Sequence, residues 1–401
     1  MSELRRVPAQ GIPPVASTPQ EIAAAAARLT GGTGSLAVDT ERAGAYRYND
    51  RAFLLQLHRA GAGTVLIDPE GNDAAVQDHV GGAINGQSWV LHAAKTDLPC
   101  LAWLGLKPGS LFDTEVAARM AGFEHPNLGH MVDEILGVEL EKDHGYVDWS
   151  TRPLPQEWLA YAALDVEFLL PLAETLKDVL AEEEKLDWAL QEFDALVAEH
   201  AGTTAPEPGS WRELKGLNTL RRGEQLAVAK ALWIKRDALS AHRDIAPPRV
   251  LGNKVLIDVA RTLPNSPAEL ARVKGFPRKR KSATQLWWDV VERARDLPAS
   301  DWPRPQRTRR EVPGKAAWPA ELWELYQAAR QDFTDLGQDL AVDDSLLIKP
   351  ATLRAAIWAA LGPKARLADT ADLVDFLFAN GVRPWQLEWA VPIIARRINS
   401  F

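Results

Sequence analysis

Apolar residues gather into three short runs between positions 35 and 67 (SLAVDTE, AFLLQLHR and TVLIDP), each of strand length and bounded by polar or Gly-containing turns. Helical patterns flank and follow them: EIAAAAARL before, a helix near 73–80, then DLPCLAWLGL, TEVAARMAG and a long one over 156–183 that continues through AEEEKLDWALQEF. Two further strands, SWVLHA and one leading into FDT, lie among these helices. Strands with helices packed on them predict an α/β layered fold with a mixed sheet. Residues 1–20 are polar and Pro-rich and read as a disordered lead-in, which gives the layered domain the bounds 21–205. The small, Pro- and Gly-rich AGTTAPEPGS over 201–210 reads as a linker. Beyond it helices dominate, over 211–295 and again over 316–401, with a Pro- and Arg-rich linker over 296–315.

The candidate chemistry lies on three of these segments. Leu36 and Val38 lead into Asp39 and Glu41, two acids on one strand face with Cα atoms roughly 7 Å apart. Tyr161 and Asp165 are four apart in a stretch without Gly or Pro, so they share a helix face. Asp97, in HAAKTDL, fits the N-cap of the helix that follows and is also free to serve a cation. Carboxylates brought together repel unless cations sit among them. A set of oxygen ligands favours Mg²⁺ or Mn²⁺ over Zn²⁺. A tyrosine beside the last acid can orient a water, so the pattern predicts a two-metal phosphodiesterase site.

The same residues, in the same order, resemble the tyrosine-bearing branch of the DEDD superfamily of 3′–5′ exonucleases. LAVDTERAGAYRYNDRAFLLQL with TVLIDPEG, WVLHAAKTDLPCLAWLGLKPGSLFDTEVAARMAG and VDWSTRPLPQEWLAYAALDVEFLLPL are similar to the three exonuclease segments of the ribonuclease D family. The likeness covers roughly residues 20–200. ALWIKRDAL, PPRVLGNKVLIDVA and LARVKGF resemble an HRDC domain, a helical module of ribonuclease D and RecQ-type helicases. The resemblance implies a ribonuclease H-like α/β exonuclease domain with a mixed sheet, followed by two all-α HRDC-like domains. It implies that Asp39 bridges two divalent ions, Mg²⁺ or Mn²⁺, with Glu41 and Asp165 completing the first site and Asp97 serving the second. Tyr161 takes the water-orienting position, and Asp113 that of a structural cap. The expected activity is removal of nucleoside 5′-monophosphates from RNA 3′ ends, in maturation of tRNA precursors or turnover of stable RNA. A DNA-directed exonuclease and a non-catalytic nucleic-acid scaffold are the alternatives; the scaffold predicts a missing acid, and none is missing.

Charge sharpens this reading. Residues 1–205 carry 14 Lys and Arg against 31 Asp and Glu, whereas residues 206–312 carry 23 against 12. A polyanion drawn to the basic middle and handled by metals in the acidic first part accounts for both. Candidate nucleic-acid contacts are Arg42, Tyr46, Arg47, Tyr48 and His92 around the acids. Lys274, Arg278, Lys279, Arg280 and Lys281, beside Phe276, form a second group. Arg42 stands where relatives commonly have an aromatic residue. GGTGS at 31–35 lacks the lysine of a phosphate loop, which argues against a helicase. The single cysteine, Cys100, excludes an internal disulfide framework, and its apolar setting points to a buried thiol. No secretory pattern or membrane-length apolar run appears, so the expected location is cytoplasmic and the expected partner is RNA, not a membrane.

Overall fold

Strand Thr33–Arg42 organises the first half of the chain. Leu36, Ala37 and Val38 at its centre have no exposed surface, so both of its faces are covered and consecutive positions are apolar. The computed structural model describes residues 3–140, 147–206, 209–277, 281–305 and 312–401. Its strands are β1 Glu3–Arg5, β2 Val15–Ala16, β3 Thr33–Arg42, β4 Ala52–Ala60, β5 Gly63–Ile67, β6 Ser88–Leu91, β7 Ser110–Asp113 and β8 Val138–Leu140. Six of them form one sheet in the order β2-β5-β4-β3-β6-β7. β4 runs antiparallel to β3 and β5, while the other pairings are parallel, so the sheet is mixed as expected.

Two expectations need correction. The lead-in over 1–20 is not wholly without structure: β2 pairs with β5, and β1 pairs with β8. Strands of two or three residues carry no periodicity to read; they form because a neighbouring strand offers unpaired backbone groups. The helix expected over 156–183 is two helices, Gln156–Glu167 and Leu169–Glu182, divided at Phe168. Pro171 explains the division, since it has no N–H for the Glu167 carbonyl and its ring collides with that carbonyl in a continuous helix. The acidic extension is a third helix, Leu186–His200, set off by a turn in which Glu184 has φ +58°.

Helices Gly223–Arg243, Asn253–Thr262, Pro267–Arg272 and Lys281–Arg295 surround a core of their own, which includes Phe276, Trp287 and Trp288. The last set does not stand apart in this way. Helices Ala320–Asp339, Pro350–Leu361 and Pro384–Asn399 contribute to the same hydrophobic cluster as the α/β layer. Trp385 stacks on Trp188 at 5.1 Å and donates its indole N–H to Glu192 at 3.0 Å. Arg383 pairs with Glu192 at 2.9 Å, and Arg119 with Asp343 at the same distance. Among the described residues no helix is long and apolar enough to cross a membrane.

Candidate active site

Asp39 and Glu41 lie near the end of β3, and helix Gln156–Glu167 packs across that strand with Tyr161 and Asp165. Carboxylate oxygens of Asp39, Glu41 and Asp165 come within 4.8 Å of one another. Asp39 and Asp165 are half-buried, and Glu41 is buried. Burial, followed by the charges of Asp97 and Asp165, pushes the Asp39 carboxyl well above its ordinary range. Glu41 is raised in the same way by burial, then by Asp39, Asp165 and Asp97. Burial lifts Asp165 to about 7, against the lowering effect of a hydrogen bond donated by the Tyr161 hydroxyl. Three acids so arranged favour a divalent cation, which would relieve both their desolvation and their mutual repulsion.

Asp97 belongs to the same cavity, of about 420 Å³, but not to the three-acid cluster. Although it sits at the N-cap of helix Leu98–Trp103, it makes no side-chain capping bond. Instead it accepts hydrogen bonds from Thr40 at 2.6 Å and Thr96 at 3.0 Å, with Arg42 at 3.5 Å. Arg42 also pairs with Asp50 at 2.8 Å. A register shift between Glu41 and Arg42 interrupts the β3–β4 ladder here, a common device for re-aiming side chains beside a site. Asp113 caps helix Thr114–Met120 through Glu115 and Val116, as expected, and also takes the N–H groups of Ala93 and Ala94. It thereby pins the turn that delivers Asp97, where Ala93 has φ +58°, a conformation costing roughly 1–3 kcal/mol.

Family models match the segments in chain order: "3'-5' exonuclease" over residues 14–181, "HRDC domain" over 225–291, and "3' to 5' exonuclease C-terminal domain" over 312–398. The ribonuclease D of Gluconacetobacter diazotrophicus is 34% identical over 224 residues, 54% of this chain and 56% of that protein. That match therefore spans little more than half the length of the relative. The ribonuclease D of Jannaschia sp. is 31% identical over 307 residues, 74% of this chain and 78% of its own length. The chain belongs to the ribonuclease D family. A solved structure of a Bifidobacterium adolescentis protein, 30% identical, covers 100% of both chains with a TM-score of 0.85.

Against this ribonuclease D framework, the expected nucleic-acid contacts divide. Arg42 and His92 line the cavity with the acids. Thr114 donates to the Leu91 carbonyl at 3.2 Å and so accepts from His92 Nδ1 at 2.9 Å. Burial lowers the His92 ring to about 4, which keeps it neutral. Tyr46, Arg47 and Tyr48 do not line that cavity; they meet the HRDC domain. The Arg249 guanidinium covers the Tyr46 ring at 4.2 Å, Arg47 lies 3.5 Å from Asp244, and the Tyr48 hydroxyl donates to Asp237 at 3.0 Å. Tyr46 also borders an adjoining cavity of about 280 Å³ with Arg42 and Asp50. Lys274 is exposed, but Phe276 is buried in the HRDC core and offers no stacking face. Arg278, Lys279, Arg280 and the side chain of Lys281 lie outside the described residues. Sequence reasoning missed Arg51, which pairs with Asp244 at 2.8 Å and ties the loop after β3 to the HRDC domain.

Proposed function

We propose that this protein is a 3′–5′ exoribonuclease that removes nucleoside 5′-monophosphates from unpaired RNA 3′ ends. One observation carries the reading: carboxylates of Asp39, Glu41 and Asp165 converge within 4.8 Å in a cavity that Asp97 also lines. In this reading Asp39, Glu41 and Asp165 hold one divalent ion, and Asp97 with Asp39 serves a second. Two ions of the Mg²⁺ or Mn²⁺ type would neutralise the acids, accept phosphate oxygens and make a water acidic enough to attack. Tyr161 remains a neutral phenol, because burial and the charges of Asp165, Glu41 and Asp39 push its ionisation far up. It therefore acts as a hydrogen-bonding group that orients the attacking water, not as a general base. The water oxygen attacks phosphorus, the bond from phosphorus to the 3′-oxygen breaks, and the shortened chain leaves with a 3′-hydroxyl. Among the described residues that line the cavity, Arg42 supplies a guanidinium, shared between Asp50 and Asp97 and placed to meet a phosphate.

The decisive experiment follows a labelled RNA with an unpaired 3′ tail, resolved to single nucleotides, with and without EDTA. A ladder shortening from the 3′ end, halted by EDTA and reduced to background in Asp39→Asn while RNA binding persists, is expected. Equal hydrolysis by Asp39→Asn and wild type would refute the assignment. A deoxyribose oligomer of the same sequence, cut equally fast, would point to a DNA-directed enzyme instead.

A further inference from the structure

Gln56 is a residue of the inner sheet whose polar chemistry the fold does not explain. It lies in the middle of β4, has no exposed surface, and its immediate neighbours along the strand are Leu55 and Leu57. Neither its Nε2 nor its Oε1 has a hydrogen-bond partner among the described residues. A buried amide left unpaired is a net cost to the folded state, and a leucine or methionine there would avoid it.

Its position gives the amide a purpose. Gln56 stands directly opposite Asp39 in the β3–β4 register, and Leu54, two residues earlier, stands opposite Glu41. Residues opposite each other share a sheet face, with Cβ atoms about 5 Å apart, so Gln56 points to the same side as both acids and within reach of Asp39. Other polar groups nearby are engaged. His58, two residues on, is bonded to Thr64 at 2.8 Å, and Tyr161 is bonded to Asp165. Asp39 receives the Thr40 backbone N–H.

Resting on the nuclease reading above, we infer that Gln56 is a positioning residue: its Nε2 donates to the Asp39 carboxylate when a divalent cation is held, fixing which oxygen Asp39 turns toward the cluster. The amide is kept at a cost to stability because it is needed in the loaded state. Groups that orient metal-holding side chains typically matter about 10–100-fold in metal affinity or activity.

The test uses the full-length protein, with Gln56→Met as the variant of similar shape and Gln56→Leu as a second. Melting temperature, Mn²⁺ affinity by calorimetry, and kcat and KM on a short RNA are measured for each. Gln56→Met should melt at or above wild type, bind Mn²⁺ about 10–100-fold more weakly and lose kcat by a similar factor at unchanged KM. Wild-type Mn²⁺ affinity and kcat in the variants would overturn the inference. So would melting of both variants below wild type, since that would mean the amide has a structural partner. Failure of wild-type protein itself to bind Mn²⁺ or cut RNA would refute the nuclease reading, an outcome distinct from variants that simply match an active wild type.

Discussion

At the scale of single residues, the acids cost the cation-free fold stability, and the sign of the pH effect follows. Burial raises Asp39, Glu41 and Asp165, the last to about 7. Between an unfolded value of about 4 and these folded values, the native chain holds more protons than the unfolded one. Stability from these groups is therefore present at low pH and lost as pH rises through that window. A cation that binds the ionised acids offsets the loss. Mn²⁺ should raise the melting temperature more at about pH 8 than at about pH 5.5, and equal shifts would contradict the site. Tyr161→Phe should lower kcat by about 10²-fold or more while leaving Mn²⁺ affinity near wild type, as calorimetry would show. The identity and spacing of the site residues were legible in the sequence because period two and period four settle which side chains share a face. The grip of Thr40 and Thr96 on Asp97 was not, since those hydroxyls meet it only after folding.

At the scale of elements, the loop from Ala43 to Arg51 joins the strand of Asp39 and Glu41 to the HRDC domain. Asp244, in a left-handed conformation with φ +49°, accepts from Arg51 at 2.8 and 3.1 Å and from the Tyr48 backbone at 3.3 Å. The Ala246 backbone N–H donates to the Tyr46 carbonyl at 2.9 Å. Asp244→Ala should expose this loop, with tryptic cleavage after Arg47 and Arg51 about fivefold faster, the factor that ~1 kcal/mol supplies. Unchanged cleavage in timed digests would show that the contacts do not restrain it. Aromatic and basic residues after a motif suit both a substrate and a docking surface, which is why composition alone does not show that Arg47 and Tyr48 meet Asp244 and Asp237. The break at Phe168, by contrast, was readable from Pro171 and the rule linking a proline to the carbonyl four residues earlier.

At the scale of the molecule, the two helical parts differ in how they are attached. The HRDC domain encloses its own core and meets the α/β layer largely through polar contacts of one loop. The C-terminal set completes a shared core, covering Trp188 with Trp385 and Trp389. Each such aromatic stabilises the fold by roughly 1.5–3 kcal/mol when covered. Deleting residues 316–401 should therefore lower the melting temperature sharply, whereas replacing 211–295 with a flexible linker should change it little. Calorimetric scans showing equal losses would contradict this division. Linker composition suggests two boundaries in the sequence, yet nothing in a one-dimensional pattern says which domain lends its apolar face to another. The strongest charge contrast, an acidic first part against a basic middle, survives as a property of the whole chain and suits a polyanion carried from one to the other.

The central claim is that Asp39, Glu41 and Asp165 clamp a divalent cation. Anomalous diffraction from crystals soaked in Mn²⁺ tests it without reference to substrate. A peak enclosed by those three carboxylates, absent in Asp39→Asn crystals, is the predicted result. A well-soaked crystal with no peak there, or one only at other acids, would contradict it.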